Sequence, residues 1–338
     1  MRPTVVVTNP VHIAVIERLE QAGCEVFRFD QNPDPAAQNA AFARADGILL
    51  RSFPFTAEVI ARCTRLRAVG KHGAGVDNCD IPAMNARHIP LANTPGGSNA
   101  TAVSEGALSL MLSVLRSVPA LDQAVRTGNF EVRFSARLGD LWEHTVGIVG
   151  LGRIGTHVAR ICGPGFNMRV IAYDPFLSEA EMRTRGAEKI DSLERLLELS
   201  DVVTIHTPLT PETKHFIGAA QFKRMKPSAI LINTSRGPTV DPKALYDALS
   251  SGTIRGAGID VFDPEPLAAG DPLLALSNVV FSPHSAGLTE ESTRQMSVQT
   301  AEVVLEMLAG TRPVSLLNPE IWETRRREAG AEASAARS

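Results

Sequence analysis

A chain of 338 residues is long enough for two domains, each with a substantial core. Its composition, 44% hydrophobic and 21% charged with a formal net charge of −3, excludes a nucleic-acid or membrane partner held by bulk electrostatics. No uninterrupted apolar run reaches the roughly 18 residues of a membrane span, and the N-terminus MRPTVVVTNP lacks a signal peptide's apolar region and cleavage site, so a cytoplasmic location is expected.

From the start, short apolar strands alternate with helical stretches: TVVVTN and HIAVIERLEQAG, CEVFRF and DPAAQNAAFARA, GILLRS and TAEVIARC, RAVGKHG and IPAMNARH. Strands separated by helices of this length predict βαβ units and a parallel sheet. This α/β domain ends near the turn NTPGGSN at 93–99. The next helix, TAVSEGALSLMLSVLRSV, is apolar on nearly every side and is expected to be buried between two bodies, as a domain crossing or at a dimer interface. The four cysteines, Cys24, Cys63, Cys79 and Cys162, lack C-x-x-C spacing and read as buried free thiols rather than a zinc site or disulfides.

From Thr145 to Asp174 the chain reads as a strand, a glycine turn, a helix and a second strand ending on a carboxylate. Gly150 turns off the strand, Gly152 lets a pyrophosphate approach the backbone, and Gly155 lets helix and strand pack closely. Such a turn alone is a weak signal, and a purely structural glycine turn is the alternative. The β-branched strand TVGIV before it, the helical THVARIC after it, and Asp174 placed 19 residues beyond Gly155 favour a dinucleotide site. Asp174 is suited to the ribose hydroxyls, and only Pro175 and Phe176 follow it, so NAD is favoured over NADP.

The alternation then resumes, and six strands are expected, at 145–149, 168–173, 201–205, 228–233, 256–261 and 278–281. A helix from Thr289 to Ala309 follows, and the apolar pair in PVSLLN is placed to return to the first sheet. The cofactor domain is thus inserted into a discontinuous first domain. The expected boundaries are 1–97 with 289–320, then 98–288, with 321–338 as a disordered tail poor in large apolar groups.

Ligands gather beyond the carboxyl ends of strands in an open α/β sheet. Three reactive side chains fall there: Arg236 after ILINTS, Glu265 in DVFDPEP and His284 in FSPHSAG. An Arg grips a carboxylate in a fork, and a His supported by a carboxylate exchanges a proton with a carbonyl oxygen, which suits hydride transfer to a 2-oxo acid. Taken singly, the same residues also read as a turn charge, a solvated loop acid and a cap.

The ordered motifs HGAGVDN, VGIVGLGRIG, YDP, HTPLTPET, NTSRGPTVD, GIDVFDPEP and SPHSAG, spanning roughly Thr4 to Asn318, resemble the D-isomer-specific 2-hydroxyacid dehydrogenase family, particularly its phosphoglycerate dehydrogenase-like members. The resemblance implies two Rossmann-like, doubly wound parallel-sheet α/β domains, the NAD domain inserted into a flavodoxin-like substrate domain, and a homodimer. It implies Arg236, Glu265 and His284 as the catalytic trio. It further implies Arg153 and Ile154 under the pyrophosphate, Thr207, Pro208 and Gly287 on the cofactor side, Thr234 and Ser235 beside the Arg, and Asp260 near the nicotinamide amide. The stretch DLWEHT replaces the commoner Gly-Lys-Thr entry to the cofactor domain, and with no regulatory domain after the closing helix, feedback by serine is not expected.

In the first domain, Gly73, Ala74 and Gly75 can present successive amides as a nest for the substrate carboxylate, or form a tight turn capped by Asp77. Arg51, Ser52, Lys71 and His72 stand near strand ends. If they face the cleft, the substrate carries a second anion; if they face water, they are ordinary surface groups. His206 reads as packed against the cofactor, and His12, His88, His144, His157 and His215 lack partners at ligand spacing, so no metal is expected. The expected activity is NAD-dependent interconversion of a D-2-hydroxy acid and its 2-oxo acid, with 3-phosphoglycerate, hydroxypyruvate or glyoxylate, and sulfolactate or another dianion, as candidates. The alternative is an NAD(H)-sensing interaction protein like the C-terminal-binding-protein corepressors, which resemble the same family.

Overall fold

The computed structural model describes residues 2–94 and 99–326. The Pro-Gly positions of the expected turn at 93–99 and residues 327–338 of the expected tail lie outside them. The chain divides into two units, Met1–Asn99 with Thr289–Ser338, and Ala100–Leu288.

The first unit begins β1 (Thr4–Val7), α1 (Ala14–Gln21), β2 (Glu25–Arg28), α2 (Pro35–Arg44), β3 (Gly47–Leu50), α3 (Ala57–Arg62), β4 (Ala68–Lys71), α4 (Ile81–Ala86) and β5 (Leu91–Asn93). The second runs α5 (Ala100–Leu115), α6 (Val118–Arg126), β6 (Thr145–Val149), α7 (Arg153–Phe166), β7 (Arg169–Tyr173), α8 (Glu179–Thr184), β8 (Glu188–Lys189), α9 (Leu193–Leu199), β9 (Val202–Ile205), α10 (Ala219–Phe222), β10 (Ile230–Asn233), α11 (Pro242–Ser250), β11 (Gly256–Ile259) and β12 (Val279–Phe281). The chain then re-enters the first unit through α12 (Glu290–Leu308).

Among the described residues the first sheet has five parallel strands in the order β2-β1-β3-β4-β5, the flavodoxin-like order. Its strands TVVV, GILL and AVGK are buried along their whole length, as helices on both faces require. From α12, Val303, Val304 and Met307 join Val5, Val7 and Leu49 in one of its two cores. The edge strand β5 is covered by the returning chain: Leu316 forms an antiparallel bridge with Ala92, and the Leu317 amide donates to Leu91 O at 2.8 Å. Asn318 accepts from the Leu91 amide at 2.9 Å and donates to Ile89 O at 3.0 Å. A disordered tail does not begin at 321: Ile321 and Trp322 are buried, Arg325 lies over the Trp322 ring, and Arg326 donates to Thr64 O at 2.9 Å. The two apolar anchors hold a segment whose later residues are polar.

The second sheet orders β12-β11-β10-β9-β6-β7-β8, again all parallel. Six of its strands lie within two residues of those expected; the seventh, β8, is a correction. It has only two residues, Glu and Lys, and pairs with β7 at the sheet edge, so no apolar run announces it. Helix α5 belongs wholly to this unit, where its Ala107, Leu110, Met111 and Leu115 join β6 and β10 side chains in one core. Among the described residues no single helix is long and apolar enough to cross a membrane.

Candidate active site

The glycine turn leaves β6 at Gly150, whose φ of +90° favours glycine. A Cβ there would lie 2.9 Å from His206 O at the end of β9, and one on Gly155 would lie 2.3 Å from Gly150 O. Turn, helix and neighbouring strand therefore close on one another only with glycine at both positions. Gly152 differs: a Cβ there meets nothing within 4 Å, and as N-cap of α7 it has no side chain to occupy the first amides. An uncapped helix N-terminus opening on free space fits a phosphate group.

Around this turn, Asp174 accepts from the Leu151 amide and the Phe176 amide, each at 3.0 Å, which fixes its carboxylate beside the turn. His206 Nδ1, Thr207 Oγ1 and Thr234 Oγ1 are buried without a hydrogen-bond partner among the described residues. Three orphaned polar atoms at the ends of β9 and β10 fit a polar ligand that supplies their missing partners.

The three strand-end residues are locked by their own loops. After β10, Asn233 accepts from the Ser235 amide at 3.0 Å and donates to Arg236 O at 3.1 Å, and Thr239 Oγ1 donates to the same carbonyl at 2.6 Å. The next residue, Gly237, packs so tightly that a Cβ would sit 1.8 Å from Phe262 O. That contact brings the Arg236 turn against the loop that carries Glu265. Glu265 Oε1 lies 2.6 Å from His284 Nδ1, and its Oε2 accepts from the Phe262 amide at 3.3 Å. His284 has a φ of +55°, held by its amide's 2.7 Å bond to Asp260 O. Asp260, only 2% exposed, accepts through its side chain from the amides of Ser285 at 2.8 Å and Ala286 at 3.2 Å. A carboxylate thus engages one imidazole nitrogen, Nδ1, and leaves the other, Nε2, outside that bond.

The family model described as the D-isomer-specific 2-hydroxyacid dehydrogenase NAD-binding domain matches residues 108–286. A glyoxylate reductase from Korarchaeum cryptofilum is 40% identical over 334 residues, 96% of this chain and 98% of that protein. The chain belongs to the D-isomer-specific 2-hydroxyacid dehydrogenase family. A D-3-phosphoglycerate dehydrogenase from Methanocaldococcus jannaschii is 34% identical over 93% of this chain but only 59% of its own length. Among solved structures, the NADPH-dependent glyoxylate/hydroxypyruvate reductase of Sinorhizobium meliloti, in complex with NADP and malonate, superposes with a TM-score of 0.83 at 29% identity, covering 97% of this chain and 100% of that one.

The other residues that the family resemblance singles out are placed as follows. Arg153 and Ile154 form the first turn of α7, Thr207 and Pro208 follow β9, Thr234 and Ser235 precede Arg236, and Gly287 continues the loop after Ala286. The carboxylate of Asp260, expected near the nicotinamide amide, is engaged by the His284 loop. In the first unit, Gly73 has a φ of +91° and Asn93 holds Ala74 O at 3.2 Å. Lys71 and His72 are buried, 6% and 4% exposed, and so are not open surface groups. Lys71 Nζ donates to His72 O, and His72 Nε2 lies 3.2 Å from Ser297 Oγ on α12. Burial, reinforced by Arg51 and Lys71, lowers His72 to about 4, so at neutral pH it carries no charge. Arg51 donates to Pro10 O at 2.9 Å, and Ser52 accepts from Asn9 at 3.1 Å.

Sequence reasoning missed Gly106 and the pairing of His215. A Cβ on Gly106 would lie 2.7 Å from Ala286 Cβ, so α5 backs directly onto the His284 loop. A glycine inside an apolar helix was the available signal. His215 Nε2 lies 3.2 Å from Asp263 Oδ2, a contact between segments 48 residues apart that no spacing announces.

Burial also lowers His206, to about 3. For both histidines the folded state binds fewer protons than the unfolded chain once pH falls below the ordinary imidazole range near 6.5, so their effect is a loss of stability on acidification. Each costs about 1.4 kcal/mol per pH unit across that window. Denaturant unfolding measured from pH 7 to 5 should show declining stability, and His72→Gln should make the decline shallower; an unchanged slope in that variant would contradict the assignment.

Proposed function

We propose that this protein is an NAD-dependent reductase of small, singly charged 2-oxo acids, with glyoxylate and hydroxypyruvate as its substrates. The observation that carries the reading is the 2.6 Å Glu265–His284 pair, set on the same sheet as the glycine turn and held against the Arg236 turn through Gly237. The relatives named glyoxylate reductase and glyoxylate/hydroxypyruvate reductase B align over 98% and 99% of their lengths, which favours this substrate class and favours an enzyme over an NAD-sensing interaction protein. The uncharged His72 and the buried Lys71 speak against a second anion, and therefore against 3-phosphoglycerate.

In the proposed mechanism, Arg236 grips the substrate carboxylate in a fork and polarises the neighbouring carbonyl. In the first unit, the Gly73–Gly75 turn offers successive backbone donors to a carboxylate. The glycine turn and Asp174 would hold a nicotinamide dinucleotide, which would supply hydride chemistry there. His284 gives its Nε2 proton to the carbonyl oxygen, and Glu265 stabilises the imidazolium before transfer and fixes the ring's orientation throughout. In the oxidative direction His284 takes the hydroxyl proton. Asp174 supports NAD over NADP, since a 2′-phosphate beside a fixed carboxylate is repelled, although the Sinorhizobium relative is NADPH-dependent.

A panel of 2-oxo acids assayed with NADH and NADPH tests this. Glyoxylate and hydroxypyruvate with NADH should give the highest kcat/KM, roughly tenfold or more above a phosphorylated 2-oxo acid, and His284→Ala should lower turnover about a hundredfold or more. Bound NADH with no turnover of any 2-oxo acid would reject the enzyme reading.

We also propose a homodimer built on the segment 118–142. None of the α6 residues is buried, and Val118, Val125, Phe130, Phe134 and Trp142 are exposed, Phe134 at 74%. An apolar stretch of this extent favours cover by a second copy. Sedimentation should show a dimer that Phe134→Glu combined with Trp142→Glu converts to monomers; a monomeric parent chain would refute it.

A further inference from the structure

His215 lies in the loop that follows β9, 50 residues before Glu265 in sequence. Its backbone takes a φ of +52°, and its amide donates to Pro238 O at 2.7 Å, in the turn immediately after Arg236. Two residues on, Ile217 forms a parallel bridge with Val240, so this loop is fastened to the Arg236 turn along its main chain. The imidazole reaches the neighbouring loop, with Nε2 3.2 Å from Asp263 Oδ2, two residues before Glu265.

The Glu265 loop is held by Glu265's own bond to His284 and, at its start, by the Phe262 ring against Phe281, centroids 6.2 Å apart. Pro264 and Pro266 flank Glu265 and carry no amide hydrogen, so half of the segment Asp263–Pro266 lacks a main-chain donor. The Phe262 amide bonds Glu265 itself at 3.3 Å, and Gly237 limits how far Phe262 O can move toward the Arg236 turn. Between these contacts the Asp263 side chain is a direct tie to another loop. The pair is partly exposed, 38% and 33%, and a pair so exposed adds little to fold stability. Its leverage is geometric: it connects the Arg236 turn to the loop presenting Glu265, and small displacements of a catalytic group change rates steeply.

We propose that His215 and Asp263 form a second imidazole–carboxylate pair that positions Glu265 against His284, without touching substrate or cofactor. This rests on the acid–base reading of Glu265 and His284 given above. Neither His215 nor Asp263 was singled out as a functional residue by sequence.

The test is a set of kinetic double-mutant cycles with NADH and the best 2-oxo acid. His215→Ala should lower kcat about tenfold or more, with NADH affinity by fluorescence titration and the melting temperature nearly unchanged. Asp263→Ala, which breaks the pair from the other side, should match it, and His215→Gln, which keeps a nitrogen donor near Nε2, should restore most of the rate. In a Glu265→Ala background, adding His215→Ala should cause no further loss. Full turnover by His215→Ala, or losses that multiply with Glu265→Ala, would overturn the proposal while leaving the acid–base reading intact. Full turnover by Glu265→Ala alone would instead overturn the acid–base reading, and this proposal with it.

Discussion

The 2.6 Å contact between Glu265 Oε1 and His284 Nδ1 joins two loops 19 residues apart, and the buried carboxylate of Asp260 makes it possible. Asp260 stands at the end of β11 and uses both side-chain oxygens, and its main-chain carbonyl as well, to hold residues 284–286. That hold offsets the cost of a non-glycine residue at positive φ, about 1 kcal/mol or more for His284. Gly106 on α5 and Gly237 after Arg236 act as spacers of zero width, letting a helix and a turn press directly on the two loops. Remove any of these, and the imidazole keeps its identity but loses its address.

The same economy governs the nucleotide side of the sheet. β6 lies between β9 and β7, the place where the strand order reverses and where doubly wound sheets bind their ligands. Gly150 brings the turn against His206 O, and the orphaned atoms of His206, Thr207 and Thr234 gather at the ends of the adjoining strands. The glycine turn and the loops that carry Glu265 and His284 thus grow from one parallel sheet.

Much of this was legible in the chain. Runs such as TVGIV, DVVTI and AILIN are β-branched and continuous because both faces of their strands are covered, and each became a strand. The filter of reactive residues at strand ends selected Glu265 and His284, which the structure brings into contact. What escaped depends on partners distant in sequence. β8 exists because β7 offers an edge, not because Glu188 and Lys189 favour a strand. His72 is buried with Ser297 of α12 reaching it from 225 residues away. Trp322 is buried in a stretch whose composition otherwise reads as tail. Periodicity reports which face of an element is covered; it does not report by what.

The central claim is that these strand-end groups promote direct hydride addition to a 2-oxo acid carbon. The measurement that bears on it most directly is product labelling with NADH deuterated at both C4 positions. With glyoxylate or hydroxypyruvate in ordinary water, the account predicts one deuterium at C2 of the hydroxy-acid product and a solvent-derived proton on its oxygen. Turnover that yields product with no deuterium at C2 would contradict it.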